Sequence, residues 1–146
     1  MVRVRERSGR SLPERLRKKR PPREGVLERW ASKQAKKLRL KFWKLQFISN
    51  KGAPDRLVVG TQKRQAYVEF KRSEKHELSA LQRETHEDLR QRGQIVYVVH
   101  SKEQVKEVFH WLVRGKAPPR LSANGRPRLS AKAQTWYSAT TGAGKN

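Results

Sequence analysis

Positive charge is spread so unevenly along this chain that only its middle can build a conventional core. Residues 1–51 carry 18 basic and 4 acidic side chains, a net of +14; residues 52–113 carry 11 and 9, a net of +2; residues 114–146 carry 7 and none, a net of +7. Residues 1–25 are Arg-rich, are broken by Gly9, Pro13, Pro21 and Pro22, and hold too few apolar side chains to bury. They are expected to form a basic arm, disordered when free. Residues 114–146, with Pro118, Pro119 and Pro127, read the same way and are expected to form a basic tail. Trp136 and Tyr137 are the exception there: the pair could stack on bases or dock on a partner, and could equally pack on the domain. One domain is thus expected over residues 26–113.

The total charge of +23 on 146 residues implies a polyanionic partner. Nucleic acid comes first, because phosphates draw Lys and Arg with release of counterions. An anionic membrane surface fits less well, since no basic helix with a broad apolar face stands out. No apolar run approaches the roughly 20 residues of a membrane helix, and the basic N-terminus lacks the apolar stretch of a secretory signal. Cysteine is absent, which excludes disulfides and cysteine-built zinc sites. The four histidines, at 76, 86, 100 and 110, lack metal-binding spacing and read as surface or helix-flank residues. Charge alone does not separate an enzyme from a protein that only neutralises phosphate.

Within 26–113 the periodicity alternates. Helical spacing runs from Val26 to Leu40. Phe42 to Ile48, rich in aromatic and β-branched residues, predicts a strand, and Asn50-Lys51-Gly52 predicts a turn. Arg56–Val59 and Ala66–Lys71 predict two short strands joined as a hairpin. Leu78 to Arg92 predicts a helix with Leu78, Leu81, Thr85 and Leu89 on one stripe, stopped by Gly93. The unbroken run Ile95–Val99 predicts a buried strand. Ser101 opens a last helix, with Val105, Val108, Phe109 and Leu112 as its apolar positions. The order is α-β-β-β-α-β-α, an α/β fold with helices flanking a mixed sheet.

Two segments carry chemistry, GAPDRLVVG at 52–60 and YVEFKR at 67–72. Glu69 and Lys71, two apart on a strand, share a face, and Val68 and Phe70 take the other. If the strands pair, Asp55 lies beside Glu69 and Lys71. Two carboxylates bind hard cations such as Mg²⁺ through oxygen. Such an ion activates water and offsets charge on a phosphodiester, and an ammonium can orient the nucleophile or balance phosphate charge. Pro54 stiffens the chain before Asp55, and Gly52 allows a close approach. The plainer reading, a solvated strand face with a weak cross-pair, stands for Glu69 and Lys71 without Asp55.

Pro54-Asp55 followed by Glu69-Phe70-Lys71 resembles the PD-(D/E)xK nuclease superfamily. GAPDRLV, EFKR and LSALQRETHEDLRQRGQIVYVVHS together resemble its virus-type replication-repair nuclease (VRR-NUC) domain, over about residues 26–110. The resemblance implies a restriction-endonuclease-like α/β core. It implies Asp55 and Glu69 as metal-binding carboxylates, Lys71 as catalytic lysine and Gln82 as a helix glutamine at the edge of the site. It further implies a first-helix glutamate in the metal site, for which Glu28 matches best and Glu24, before Gly25, less well, and Mg²⁺ as cofactor with Mn²⁺ as substitute. Its implied activity is metal-dependent cleavage of branched DNA, in the sharpest form Holliday-junction resolution in phage replication and repair. A homodimer and a cytoplasmic setting, in bacteria or a phage-infected host, go with it.

Lys33, Lys36, Lys37 and Lys41 are most simply a solvated basic face and, read functionally, a phosphate track. Arg56 and Arg72, next to Asp55 and Lys71, are assigned with them to nucleic-acid binding. The competing functions are a non-catalytic basic DNA-binding protein and a nicking or restriction-type nuclease. The closing TGAGK lacks the length and following helix of a phosphate-binding loop.

Overall fold

In the computed structural model, residues 25–49 and 51–141 are described. The expected N-terminal arm lies outside them but for Gly25. Helix α1 (Val26–Lys37) leads into strands β1 (Lys41–Lys44), β2 (Arg56–Val59) and β3 (Gln65–Phe70). Helix α2 (Ala80–Gln91), strand β4 (Val96–Val99) and helix α3 (Lys102–Arg114) follow, then a 3-10 turn (Ala123–Gly125) and helix α4 (Ala131–Thr141). The strands lie in the order β1-β2-β3-β4, with β1/β2 and β2/β3 antiparallel and β3/β4 parallel. The sheet is therefore mixed, as the alternation of elements predicts.

Alternation along β3 decides what each face holds. Val68 and Phe70 join Val58 and Ala66 in a core closed by Ala31 and Ala35 of α1 and by Val105, Val108, Phe109 and Leu112 of α3. Glu69 and its register partner Val98 face the other way, towards α2. That face cannot be wholly apolar, because β3 presents a carboxylate to it. Accordingly the buried residue of α2 is His86, while Leu81 is 53% exposed. Of the expected stripe Leu81 faces outward, while Leu78, Thr85 and Leu89 are half-buried beside His86.

Three further expectations change. The strand predicted over 42–48 ends at Lys44, and its later apolar residues Phe47 and Ile48 are exposed. Both lie past the end of β1, in the bridge and turn that lead to β2. His86 is neither a surface nor a flank residue but fully buried. Finally, residues 115–141 do not stand apart from the core. Tyr137 of α4 is fully buried, its hydroxyl donates to Gln34 Oε1 of α1 at 2.9 Å, and Trp136 meets His110 of α3 edge-on at 5.0 Å. For the Trp136–Tyr137 pair, packing on the domain is the arrangement observed.

Candidate active site

The 52–55 turn delivers Asp55 to the sheet because Gly52 has no side chain. A Cβ there would come within 2.5 Å of the Leu81 carbonyl oxygen and of Thr85 Oγ1, so the turn rests directly on α2. Pro54 is buried beneath it. Leu45 N–H donates to the Asp55 carbonyl at 3.0 Å, which continues the β1/β2 ladder to that residue.

Asp55 and Glu69 then lock together through the backbone. Asp55 N–H donates to Glu69 Oε2 at 3.2 Å, and Phe70 N–H donates to Asp55 Oδ2 at 2.8 Å. Each carboxylate is oriented by the main chain of the other's strand. Lys71 extends from the end of β3, where its N–H donates to the Val99 carbonyl and keeps the parallel β3/β4 register. Its Nζ lies 3.6 Å from Glu69 Oε1 and donates to Gln82 Oε1 at 3.0 Å. Gln82 Nε2 donates to Glu69 Oε1 at 2.7 Å.

The position of Gln82 is set by the start of α2. Ser79 caps the helix by accepting from Gln82 N–H, and Gln82 Oε1 accepts from Ser79 N–H at 2.9 Å. This reciprocal pair satisfies two donors that a helix start otherwise leaves open. One amide thus serves as helix cap and as bridge between Lys71 and Glu69.

Among solved structures the chain is similar to one described as "VRR_NUC domain", at 33% sequence identity and a TM-score of 0.55, covering 58% of this chain and 91% of that one. The chain belongs to the VRR-NUC family. No family model matches it, and no curated protein does. Its mixed sheet with flanking helices is of the restriction-endonuclease-like α/β class.

In this VRR-NUC domain Asp55 and Lys71 open onto a cleft of about 250 Å³, walled by Glu28 of α1 and by His100, Ser101 and Lys102 at the start of α3. Glu69, only 3% exposed, stands behind them and is held from there by Gln82. Burial, and then the charge of Asp55, push the Glu69 carboxyl up to about 7, against the opposing pull of Lys71. Such a pair favours a cation. The donors are all oxygen, as a hard divalent ion requires, and Mg²⁺ is commonly bound by one or two carboxylates while it keeps several waters. Asp55 and Glu69 therefore fit such an ion. No group of three or more metal-capable side chains occurs among the described residues.

The remaining assigned residues divide. Glu28 lines the cleft, but its Oε1 accepts from Arg56 Nε at 2.6 Å. Arg56 is engaged in the protein itself, ion-paired to Glu28 and stacked 4.8 Å over the Phe42 ring. Lys33, Lys36, Lys37, Lys41 and Arg72 are exposed and have no ion pair among the described residues, and Arg72 also lines the cleft. The sequence reading missed His100, Ser101 and Lys102. Their signal lay in the parallel β3/β4 pairing, which brings the residues after each strand to one end of the sheet.

Proposed function

We propose that this VRR-NUC domain is a metal-dependent endonuclease that hydrolyses phosphodiester bonds in DNA and prefers branched substrates, with four-way junctions as the sharpest case. The observation that carries this reading is the convergence of Asp55, Glu69, Lys71 and Gln82 through bonds of 2.7–3.2 Å, with Asp55 and Lys71 at the wall of one cleft and Glu69 and Gln82 behind them. A structural ion pair alone would not need a carboxylate buried, and set beside a second one, until burial first and Asp55 second push it up to about 7.

Asp55 and Glu69 would hold Mg²⁺, or Mn²⁺ in its place, and the ion would supply an acidified water and charge neutralisation at the phosphoryl oxygens. Lys71, at the cleft wall, offers a cation to the phosphate and to the negative charge that builds in the transition state. Gln82 sets the direction of Lys71 Nζ and of Glu69 Oε1 together, so neither has to reorganise when substrate arrives. The positive end of α3, with Lys102, faces the same cleft and favours an anion there. The exposed lysines of α1 would extend the phosphate-binding surface, and the basic residues of 1–25 would add phosphate contacts, without reading sequence. Branch preference would come from two domains set at a fixed spacing in a homodimer, in a phage replication or repair setting.

Incubation of the full chain with duplex, flap, splayed and four-way DNA, in Mg²⁺, Mn²⁺, Ca²⁺ or EDTA, tests the proposal. Cutting in Mg²⁺ and Mn²⁺, fastest on the four-way substrate and absent in EDTA, is the expected result. Equal rates on linear and branched DNA would favour a nicking or restriction-type activity, and no cutting with any cation would favour a DNA-binding protein without catalysis. No helix of the described residues is long and apolar enough to cross a membrane.

A further inference from the structure

On the other side of the 71–79 loop lies a second cavity, larger than the cleft at about 430 Å³, which the proposed chemistry does not use. Three arginines line it: Arg83 and Arg90 from α2, and Arg126 from the chain just past the 3-10 turn. His76 borders it from the loop, and Val98 and Gly125 complete its wall.

Two of the guanidinium groups are fixed by main-chain acceptors. Arg90 Nη2 donates to the Val96 carbonyl at 2.9 Å, and Arg126 Nη2 donates to the Glu74 carbonyl at 2.6 Å. The Nε of both Arg90 and Arg126 is nonetheless buried with no hydrogen-bond partner. A buried N–H left without an acceptor is uncommon in a folded protein and asks for an explanation. Glu77 and Glu87 also border the cavity, yet neither forms an ion pair with an arginine among the described residues. The two Nε groups are shut off from the cavity and mark how tightly the guanidiniums are packed, while the lining as a whole has one positive charge in excess. Gly125 is part of the construction: it lies at φ 75°, and a Cβ there would run into the Arg90 guanidinium.

This cavity and the cleft are linked by the 71–79 loop: Lys71 and Arg72 at its start line the cleft, and His76 and Glu77 further along it line the cavity. Arg126 in turn grips the loop that begins at Lys71.

We propose that the Arg83–Arg90–Arg126 cavity is a second phosphate subsite, which holds a backbone phosphate of the DNA strand beside the phosphodiester in the cleft. Arginine suits this task because its planar fork offers several donors to phosphate oxygens at once. Phosphate is favoured over a carboxylate ligand because donors arrive from three arginines on two elements and because the chain as a whole carries +23. That the phosphate belongs to a DNA strand rests on the nuclease reading; that the cavity takes phosphate does not. Holding a second phosphate would fix the strand's direction across the cleft and keep it from sliding.

The test is equilibrium binding of the full chain to a short DNA in EDTA, so that it needs no cleavage. A neutral methylphosphonate is moved along the strand one position at a time, with wild type, Arg83→Ala and Arg83→Lys compared. Arg83 is exposed and makes no side-chain hydrogen bond or ion pair among the described residues, so its loss leaves the fold intact. Arg83→Ala is expected to weaken binding about tenfold and to lower the salt slope by about 0.9, as loss of one phosphate contact does. One methylphosphonate position should weaken wild type and have no further effect on Arg83→Ala, and Arg83→Lys should restore part of the affinity. If every position weakens wild type and Arg83→Ala alike, the subsite is overturned. Inorganic phosphate is added in a second arm while the Arg90 and Arg126 Nε–H signals are followed by NMR. Movement with DNA supports the proposal; movement with free phosphate alone would assign the cavity to a small phosphate compound and overturn the strand assignment. If the methylphosphonate pattern appears and no cation supports cutting, the subsite stands and the nuclease reading fails.

Discussion

Gln82 Nε2 donates to Glu69 Oε1 at 2.7 Å from a helix whose first turn the same side chain caps. The bond ties the burial of a carboxylate to the start of α2, and Lys71 closes the group by donating to Gln82 Oε1. Removing the amide should therefore affect two measurements. Gln82→Ala is expected to slow cleavage by about 10- to 100-fold, the range lost with a hydrogen-bond partner of a metal-binding carboxylate. It should also cost about 1 kcal/mol of stability through the lost capping pair, read from a denaturant titration. Loss of stability with an unchanged rate would make Gln82 a helix cap only.

Glu69 sets a pH dependence of defined sign. Its carboxyl is raised to about 7 in the folded chain from an ordinary 4.5, so between those values the native state holds the extra proton. Stability from this group is full below about 4.5 and is lost as pH rises through about 7, by at most about 3 kcal/mol. His86 works in the opposite sense. Burial first, and then Arg90 and Lys71, lower it to about 4 from 6.5, so stability from His86 rises with pH over that interval. The two nearly cancel where they overlap, and the Glu69 effect emerges from the difference between wild type and Glu69→Gln. That difference in melting temperature should move against wild type between pH 5 and pH 8, and a divalent cation should reverse it at pH 8.

α4 contributes to stability as part of the domain. Tyr137→Phe, which removes the hydroxyl bond to Gln34, should cost about 1 kcal/mol. Tyr137→Ala, which empties a fully buried site, should cost about 3–5 kcal/mol. Chemical denaturation of the two variants checks this. Equal and negligible losses would mean that α4 does not hold to the core in solution.

The basic N-terminal residues should supply affinity without selectivity. Deleting residues 1–22 removes nine basic and two acidic side chains. If half of the nine contact phosphate, the slope of log affinity against log salt should fall by roughly 4, at about 0.9 per contact. Linear and branched DNA should lose alike, because these contacts address phosphate and not geometry. A salt series on both substrates measures it, and an unchanged slope would move the affinity to α1 and the residues after 114.

How far the sequence reaches can be read from particular residues. The Val105, Val108, Phe109 and Leu112 pattern of α3 is legible because a helix with one apolar face leaves a period, and all four are buried. Alternation along β3 placed Glu69 and Lys71 on the face opposite Val68 and Phe70, which is the arrangement found. The α2 face was legible only in part, since it packs on a carboxylate-bearing sheet: Leu78, Thr85 and Leu89 are half-buried, but the fully buried residue is His86 and not a leucine. Phe47 and Ile48 misled for the converse reason: apolar residues beside an edge strand imitate a buried one. The role of Gln82 came from family resemblance, although Ser79-x-x-Gln82 also carries the spacing of a capping pair. Contacts between distant segments, such as Glu28 with Arg56 or Gln34 with Tyr137, leave no local pattern at all.

In the proposed mechanism Asp55, Glu69 and Lys71 form a metal-dependent phosphodiesterase site, distinct from the surface that holds DNA. Single-turnover cleavage of a four-way DNA tests it most directly, comparing wild type in Mg²⁺ and in EDTA with Asp55→Ala, Glu69→Ala and Lys71→Ala in Mg²⁺, with DNA affinity measured on the same samples. Cleavage is expected for wild type in Mg²⁺ alone, with each variant slowed by at least about 100-fold and binding little changed. Undiminished cutting in EDTA, or a wild-type rate for Lys71→Ala, would contradict the account.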